Sequence, residues 1–62
     1  MKNKMKILRQ ERGLTQQQLA EALAVSRQTI NSIETEKYDP SLVLAFSIAK
    51  FFSICVEEVF EP

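Results

Sequence analysis

The stretch that decides the fold is GLTQQQLAEALAVSRQTINSIE, residues Gly13 to Glu34. It contains two short amphipathic segments joined very tightly. Thr15, followed three positions later by Gln18, forms a capping-box pattern, which predicts a helix that begins after Thr15. This helix should end near position 22 or 23. Ser26 is a favourable N-cap, so a further helix should begin directly after it.

Only Ala24 and Val25 lie between the end of one helix and the cap of the next. So short a joint forces the two helices to cross at a steep angle, as in a helix-turn-helix. Val25, the one large apolar residue of the joint, should fill the angle between the helices. Ala20 is small where the helices approach most closely. We therefore expect a helix-turn-helix at about residues 16–35.

The helix after Ser26 has a sharp division between its faces. At 100° per residue, Ile30 and Ile33 form the inner face, and Glu34 lies about 40° from Ile30. The outer face holds Gln, Asn, Ser and Thr, with Arg27 at its N-terminal shoulder. Arg, Gln and Asn can form paired hydrogen bonds with base edges in the major groove of DNA. A solvated neutral surface is the alternative interpretation of this face.

The rest of the chain is also predicted to be helical. A first helix should run from about Asn3 to Arg12 and stop at Gly13, a typical C′ residue. The loop EKYDP precedes a fourth helix, capped by either Asp39 or Ser41. A short fifth helix is expected near VEEVF. The inner face of the fourth helix should contain Leu42, Ala45, Ile48, Ala49 and Phe52.

Composition limits the possible functions. The 62 residues are expected to form one domain, 1–62, near the lower limit for independent folding. Net charge is zero, but residues 1–30 hold six basic and two acidic residues, and residues 31–62 hold two basic and six acidic ones. Because binding depends on local potential, this division weakens the objection that a neutral chain should not bind nucleic acid. A solvated basic helix and a solvated acidic tail would explain the charges equally well.

Several classes of site are not expected. With no histidine and one cysteine, the chain offers neither a credible zinc site nor an internal disulfide, which indicates a reducing, cytoplasmic location. Cys55 should cap the fifth helix, whose N-terminus could lower its pKa, although a buried structural cysteine is the favoured interpretation. We expect no signal peptide, membrane span, cofactor, metal or catalytic residue.

The stretch TQQQLAEALAVSRQTINSIE resembles the helix-turn-helix of the phage-repressor, Cro-like family of transcriptional regulators, of the xenobiotic-response-element type. The segment PSLVLAFSIAKFFSICVEEVF resembles the fourth and fifth helices of that family. The resemblance implies an all-α, five-helix, lambda-repressor-like DNA-binding domain. Ala24 and Ser53 stand where the family usually has glycine, and an alanine in the left-handed region costs roughly 1–2 kcal/mol. Either these turns are slightly distorted, or stability is supplied elsewhere. The matching positions are Leu19, Ala20, Leu23, Val25, Ser26, Ile30, Ile33 and Glu34.

The resemblance also implies a DNA-binding site at the start of the second helix, along the third helix and in the loop that follows it. Glu36 and Asp39 place negative charge in this loop, where phosphate contacts are expected. The implied DNA-binding residues are Gln16, Gln17, Ser26, Arg27, Gln28, Asn31, Ser32, Lys37 and Tyr38.

Sequence-specific binding to double-stranded DNA is the predicted function, with repression by occupation of a promoter as the simplest mechanism. The alternative is an antitoxin-like or adaptor protein whose acidic C-terminal half binds a protein partner. We predict a partly buried ion pair between Arg9 and Glu34, as at the matching family positions, with Arg12 as the rival partner for Glu34.

A homodimer is expected through the C-terminal segment, since some of its apolar residues should remain exposed on a monomer. Alternatively, all of them complete the core. The residues concerned are Phe51, Phe52, Ile54, Val56, Val59 and Phe60.

Overall fold

Five helices and two very short strands make up the computed structural model, which describes residues 1–62. The predicted five-helix, all-α class is therefore confirmed. The two strands pair in antiparallel fashion and were not predicted. In chain order, the elements are β1 (Lys2–Asn3), α1 (Met5–Glu11), α2 (Gln16–Leu23), α3 (Arg27–Glu34), α4 (Leu42–Phe52), α5 (Val56–Val59) and β2 (Phe60–Glu61).

Both caps of the helix-turn-helix are formed as predicted. The Thr15 hydroxyl accepts a hydrogen bond from the Gln18 backbone N–H at 3.0 Å, and the Gln18 side chain accepts one from the Thr15 N–H at 2.8 Å. The Ser26 hydroxyl accepts from the Thr29 N–H at 3.1 Å. These bonds satisfy backbone donors that have no partner inside the first turn of a helix, and so they determine where α2 and α3 begin.

Three residues other than glycine adopt left-handed backbone conformations. Ala24 ends α2 with φ 58° and Ser53 ends α4 with φ 59°, at the two positions where the family usually has glycine. Glu36, in the loop after α3, has φ 65° and was not predicted. Gly13 has φ 67° and ends α1 as predicted. An L-residue in this region costs roughly 1–2 kcal/mol, so three turns of this small domain hold strain that glycine would relieve.

A single cluster of eleven buried apolar residues joins all five helices and β2. Ala20 is completely buried at the crossing of α2 and α3, and Val25 is half-buried against the same cluster. Both had been assigned to this crossing from the sequence. The cluster contains Met5, Leu19, Ala20, Ile30, Ile33, Ala45, Ile48, Ala49, Phe52, Val59 and Phe60.

The predicted start of α1 was two residues too early. Asn3 lies in β1 and pairs with Phe60, so Phe60 belongs to a strand and not to the fifth helix. The Asn3 side-chain Oδ1 accepts from the Met5 N–H at 3.1 Å, and its Nδ2 donates to the Ile33 carbonyl at 2.9 Å. Asn3 thus ties the N-terminus of the chain to the end of α3.

Ser41, and not Asp39, caps α4, since its hydroxyl accepts from the Leu44 N–H at 3.1 Å. The inner face of α4 is confirmed except at Leu42, whose side chain is 68% exposed. Leu44 packs partly against the core instead. Helical spacing indicates the direction of a side chain, but not whether a neighbouring element reaches that end of the helix.

The apolar C-terminal residues mostly complete the core. Phe52, Val59 and Phe60 are buried, while Phe51, Ile54 and Val56 are half-buried against the cluster. Three of the large exposed apolar side chains lie instead on α4: Leu42, Val43 and Phe46. The alternative that the C-terminal residues fill the core therefore describes them better than the expectation of an exposed C-terminal patch.

Cys55 caps α5 but is exposed, so its assignment as a buried structural cysteine was wrong. The alternative interpretation, in which the helix N-terminus lowers the pKa of Cys55, was also wrong. The hydrogen bond between the thiol and the Glu58 carboxylate raises the pKa of Cys55, and the negative charges of Glu58 and Glu57 add to this effect. A thiolate would face two carboxylates here, which outweighs the weak field of a one-turn helix.

Candidate nucleic-acid interface

The outer face of α3 is polar and exposed, as its sequence predicted. Ile30 and Ile33 are completely buried, whereas Arg27, Gln28 and Asn31 are exposed. Neither the Arg27 nor the Gln28 side chain forms a hydrogen bond or an ion pair with another residue of the chain. Their donor and acceptor groups are therefore free to bind an external partner.

Behind this face lies the predicted ion pair between Arg9 and Glu34. Arg9 Nε lies 2.7 Å from Glu34 Oε2, and Arg9 Nη2 donates to Oε1 at 3.1 Å. The two side chains are only 10% and 3% exposed. A third bond runs from Arg9 Nη1 to the Leu14 carbonyl at 2.9 Å. The hydrogen bond to Glu34 raises the pKa of the Arg9 guanidinium, although burial opposes this shift.

Arg12 is not the partner of Glu34. Its guanidinium carbon lies 5.3 Å from the ring centre of Phe51 and 5.1 Å from that of Phe52. It also donates to the Phe51 carbonyl at 3.0 Å, near the end of α4. Arg12 therefore joins α1 to α4 and leaves Glu34 to Arg9.

Gln16, at the start of α2, connects the ion pair to the outer face of α3. Its Nε2 donates to Glu34 Oε1 and to Asn31 Oδ1, both at 3.1 Å. A continuous network thus runs from Arg9 through Glu34 and Gln16 to Asn31. Gln17, the next residue, donates along its own helix to Glu21 at 3.3 Å and stays exposed.

The loop after α3 folds back against the end of that helix. The backbone N–H groups of Lys37 and Tyr38 both donate to the Ser32 carbonyl, at 2.9 and 3.2 Å. Both side chains are exposed. A shallow hollow of about 260 Å³ lies between the loop and the helix, lined by Ser26, Gln28, Thr29, Ser32 and Tyr38.

The nine predicted site residues thus lie on α2, its neighbour α3, the cap between them and the following loop. Gln16 and Asn31 are joined by a hydrogen bond. Four others line the same hollow: Ser26, Gln28, Ser32 and Tyr38. Arg27, Gln17 and Lys37 stand apart from these two groups. Sequence reasoning missed Thr29, which lines the hollow. The position of Thr29, about one helical turn after the cap residue Ser26, was the sequence feature that could have indicated this.

Negative charge in the loop is partly compensated. The amino group of Met1 lies 3.1 Å from Asp39 Oδ1. Glu36 is exposed and has no ion-pair partner. The Asp39 side chain is 56% exposed, and because exposed ion pairs are weak, this contact offsets little of the negative charge of the loop.

Two further observations concern metal ligation and membrane insertion. No three side chains of the Asp, Glu and Cys type converge as metal ligands would. None of the five helices has the length and apolar character that crossing a bilayer requires.

Comparison with known proteins agrees with this geometry. The helix-turn-helix family profile matches residues 5–58. An uncharacterized HTH-type transcriptional regulator of Methanocaldococcus jannaschii is 60% identical over 60 residues, which cover 97% of this chain and 91% of that protein. The chain belongs to the helix-turn-helix family of transcriptional regulators, of the phage-repressor type.

Two longer relatives have named roles. The immunity repressor protein of Bacillus phage phi105 is 39% identical over 56 residues, covering 90% of this chain and 39% of that protein. The HTH-type transcriptional activator BcrR of Enterococcus faecalis is 43% identical over 56 residues, covering 90% of this chain and 28% of that protein. A repressor and an activator of transcription therefore both contain a segment similar to this chain. The antitoxin-like or adaptor alternative is not favoured by these relatives.

Proposed function

We propose that residues 1–62 act as one DNA-binding domain, which reads double-stranded DNA by placing α3 in the major groove. The observation that carries this proposal is the exposed polar face of α3, on which Arg27 and Gln28 have no partners within the chain. Free guanidinium and amide groups on a short helix have the size and donor pattern for reading base edges. Membership of a family of DNA-binding regulators supports the same function.

The proposed roles follow from position. Gln28 points most directly away from the buried face and should enter the groove most deeply, where its amide can pair with N6 and N7 of adenine. Arg27 can pair with O6 and N7 of guanine. Asn31 and Ser32 would reach flanking bases. Phosphate contacts are assigned to Gln16, Gln17, Ser26, Lys37 and Tyr38, which border α3 on both sides.

We propose further that the protein is a homodimer. The exposed apolar residues of α4 lead into a groove of about 520 Å³ between α4 and α5, lined by Phe46, Ile54 and Val56. Lys50 and Glu57 border the same groove, and neither forms an ion pair within the chain. In a two-fold dimer each of these charges can face its opposite on the second copy, because such an interface contacts itself.

A dimer of this kind would present two α3 helices to half-sites about one helical turn apart, roughly 34 Å. Occupation of a promoter would then exclude the transcription machinery, so we propose repression as the mechanism. This activity belongs in the cytoplasm, where the protein meets DNA. The phage immunity repressor among the relatives supports repression, and the activator supports the opposite sign of regulation.

A salt titration of binding to random duplex DNA tests the proposed function. Because phosphate contacts release counterions, the logarithm of affinity should fall linearly with the logarithm of salt concentration. We expect a steep negative slope. A chain that fails to bind random duplex at low salt does not act on DNA as proposed.

Sedimentation tests the dimer. Phe46→Lys should give a monomer, while Ile7→Lys on α1, at a side chain of equal exposure (58% against 57% for Phe46), should leave the dimer intact. Lys50→Glu and Glu57→Lys should each weaken the dimer, and the double variant should restore it. A parent protein that stays monomeric at high micromolar concentration, with and without DNA, would overturn the dimer.

A further inference from the structure

The network that links the core to the outer face of α3 has a defined hydrogen-bond direction. We propose that Glu34 is a positioning residue: its buried carboxylate dictates which atoms of Gln16 and Asn31 face the DNA. Asn31 then presents only hydrogen-bond donors and favours a base with a keto group. This inference rests on the proposed function, because it concerns what the outer face of α3 offers to a base.

The first step concerns Glu34 and Gln16. An ionised carboxylate only accepts hydrogen bonds. The Glu34 side chain is 3% exposed and accepts from Arg9 through both oxygens, so both of its oxygens act as acceptors. The Gln16 atom 3.1 Å from Glu34 Oε1 must therefore be the amide nitrogen. An amide oxygen there would place two hydrogen-bond acceptors against each other without a hydrogen between them.

The second step passes the same direction on to Asn31. Gln16 Nε2 also lies 3.1 Å from the Asn31 side chain, and the donor requires an acceptor there, which is Oδ1. Both hydrogens of Gln16 Nε2 are then used. Gln16 retains its Oε1 as a free acceptor, while Asn31 retains its NH₂ group with two free donors on an exposed side chain.

The third step gives the consequence for base reading. In the major groove, guanine and thymine present acceptor oxygens, O6 and O4, whereas cytosine presents only its N4 donor at the corresponding position. Paired reading of adenine requires a donor and an acceptor from the same amide. The acceptor of Asn31 is directed at Gln16, so adenine is disfavoured. Asn31 should thus select guanine or thymine.

A related consequence concerns Gln16. Its side-chain donors are both occupied, and its free oxygen would repel a phosphate. Gln16 is the first residue of α2, where backbone N–H groups have no partner inside the helix. The phosphate contact assigned to Gln16 should therefore be made by a main-chain N–H group and not by the side-chain amide.

Randomised-site selection on full-length variants tests this inference. The parent should select guanine or thymine at one position of each half-site, and Asn31→Ala should lose that preference. Gln16→Met removes the bridging amide but leaves the contacts between Arg9 and Glu34 in place. In this variant Asn31 can rotate, so discrimination against adenine at that position should fall by about fivefold, the lower end of what a paired contact contributes. Glu34→Gln should have the same effect.

Since Glu34→Gln removes a buried charge next to Arg9, its fold must be checked by circular dichroism. If it does not fold, Gln16→Met decides the matter. An unchanged preference in Gln16→Met, or a parent preference for adenine or cytosine at the position that depends on Asn31, overturns the inference alone. An Asn31→Ala variant that alters no position overturns it as well. A parent that selects no site at all overturns the proposed function, and the inference with it.

Discussion

The two halves of α3 present polar side chains in different ways. In the first turn, Arg27 and Gln28 are exposed and have no partner within the chain. One turn later, Asn31 and Glu34 belong to a network that reaches through Gln16 to a buried arginine. The first pair must be ordered when DNA binds, whereas the second pair is already held in place. One helix thus combines adaptable contacts with preorganised ones.

The difference also separates stability from affinity. Glu34 carries a charge that is nearly excluded from water and depends on Arg9, so a change to either residue should act on the fold. Arg27 carries a charge that is fully available to solvent, so its loss should act on DNA binding alone.

The largest effect is expected for Arg9→Met. It leaves the Glu34 carboxylate buried without its partner, which typically costs about 3–5 kcal/mol in the free energy of unfolding. Arg12→Met is the matched control, since Arg12 is exposed and contacts only the rings of Phe51 and Phe52 and the Phe51 carbonyl, and should cost about 1 kcal/mol. Urea denaturation measures both. If the two variants lose equal stability, the buried ion pair stabilises the fold no more than an exposed arginine does.

Arg27→Ala should act on the other half of the helix. We expect a loss of about 1–3 kcal/mol on the cognate site, from one paired base contact, with a change in unfolding free energy of no more than about 0.5 kcal/mol. Fluorescence anisotropy and thermal melting give the two numbers. Lys6→Ala, an exposed basic residue on α1, is the control for a general loss of charge. If both variants lose the same affinity, Arg27 contributes only general charge attraction to DNA and not a contact with a specific base.

A smaller effect concerns the loop attached to the end of α3. Glu36→Gly should stabilise the protein by about 1 kcal/mol, because Glu36 has φ 65° and an L-residue is strained there. Glu36→Ala removes the same charge but keeps Cβ, so it should stabilise little. Both variants should bind DNA equally well. Thermal melts in which alanine and glycine behave alike would show that the backbone at Glu36 is not strained.

The smallest effect is expected for Lys37→Ala. An exposed phosphate contact should be lost, which weakens binding to all sequences alike and reduces the salt slope by about one unit. Titrations of cognate and random duplex at several salt concentrations measure this slope. A loss confined to the cognate duplex would instead place Lys37 at a base.

The helix-turn-helix was predictable because its determinants are local. Thr15 and Ser26 each bond to a backbone group three residues away, so their patterns can be read directly from the chain. The ion pair of Arg9 with Glu34 was also predictable, since the family resemblance supplied a contact that spacing alone would not. Six of the nine predicted site residues fall into two groups, Gln16 with Asn31, and Ser26, Gln28 and Ser32 with Tyr38.

The predictions from sequence were wrong where a residue depends on a contact with a residue far away in the chain. Strand β1 has only two residues, and its partner lies at the other end of the chain, so Asn3 gave no recognisable strand pattern. Helical spacing placed Leu42 correctly on its face but could not show that no neighbour covers it. The hydrogen-bond direction at Gln16 and Asn31 required the position of Glu34 in three dimensions.

The central claim is that the outer face of α3 reads DNA sequence, and a randomised-site selection with the parent and Gln28→Ala tests it most directly. The parent should recover a two-fold site. Gln28→Ala should recover the same site with relaxed preference at one base pair in each half, at a cost of about 1–3 kcal/mol on the parental site. If Gln28→Ala selects the parental site with undiminished stringency, α3 is not the reading element and the account is contradicted.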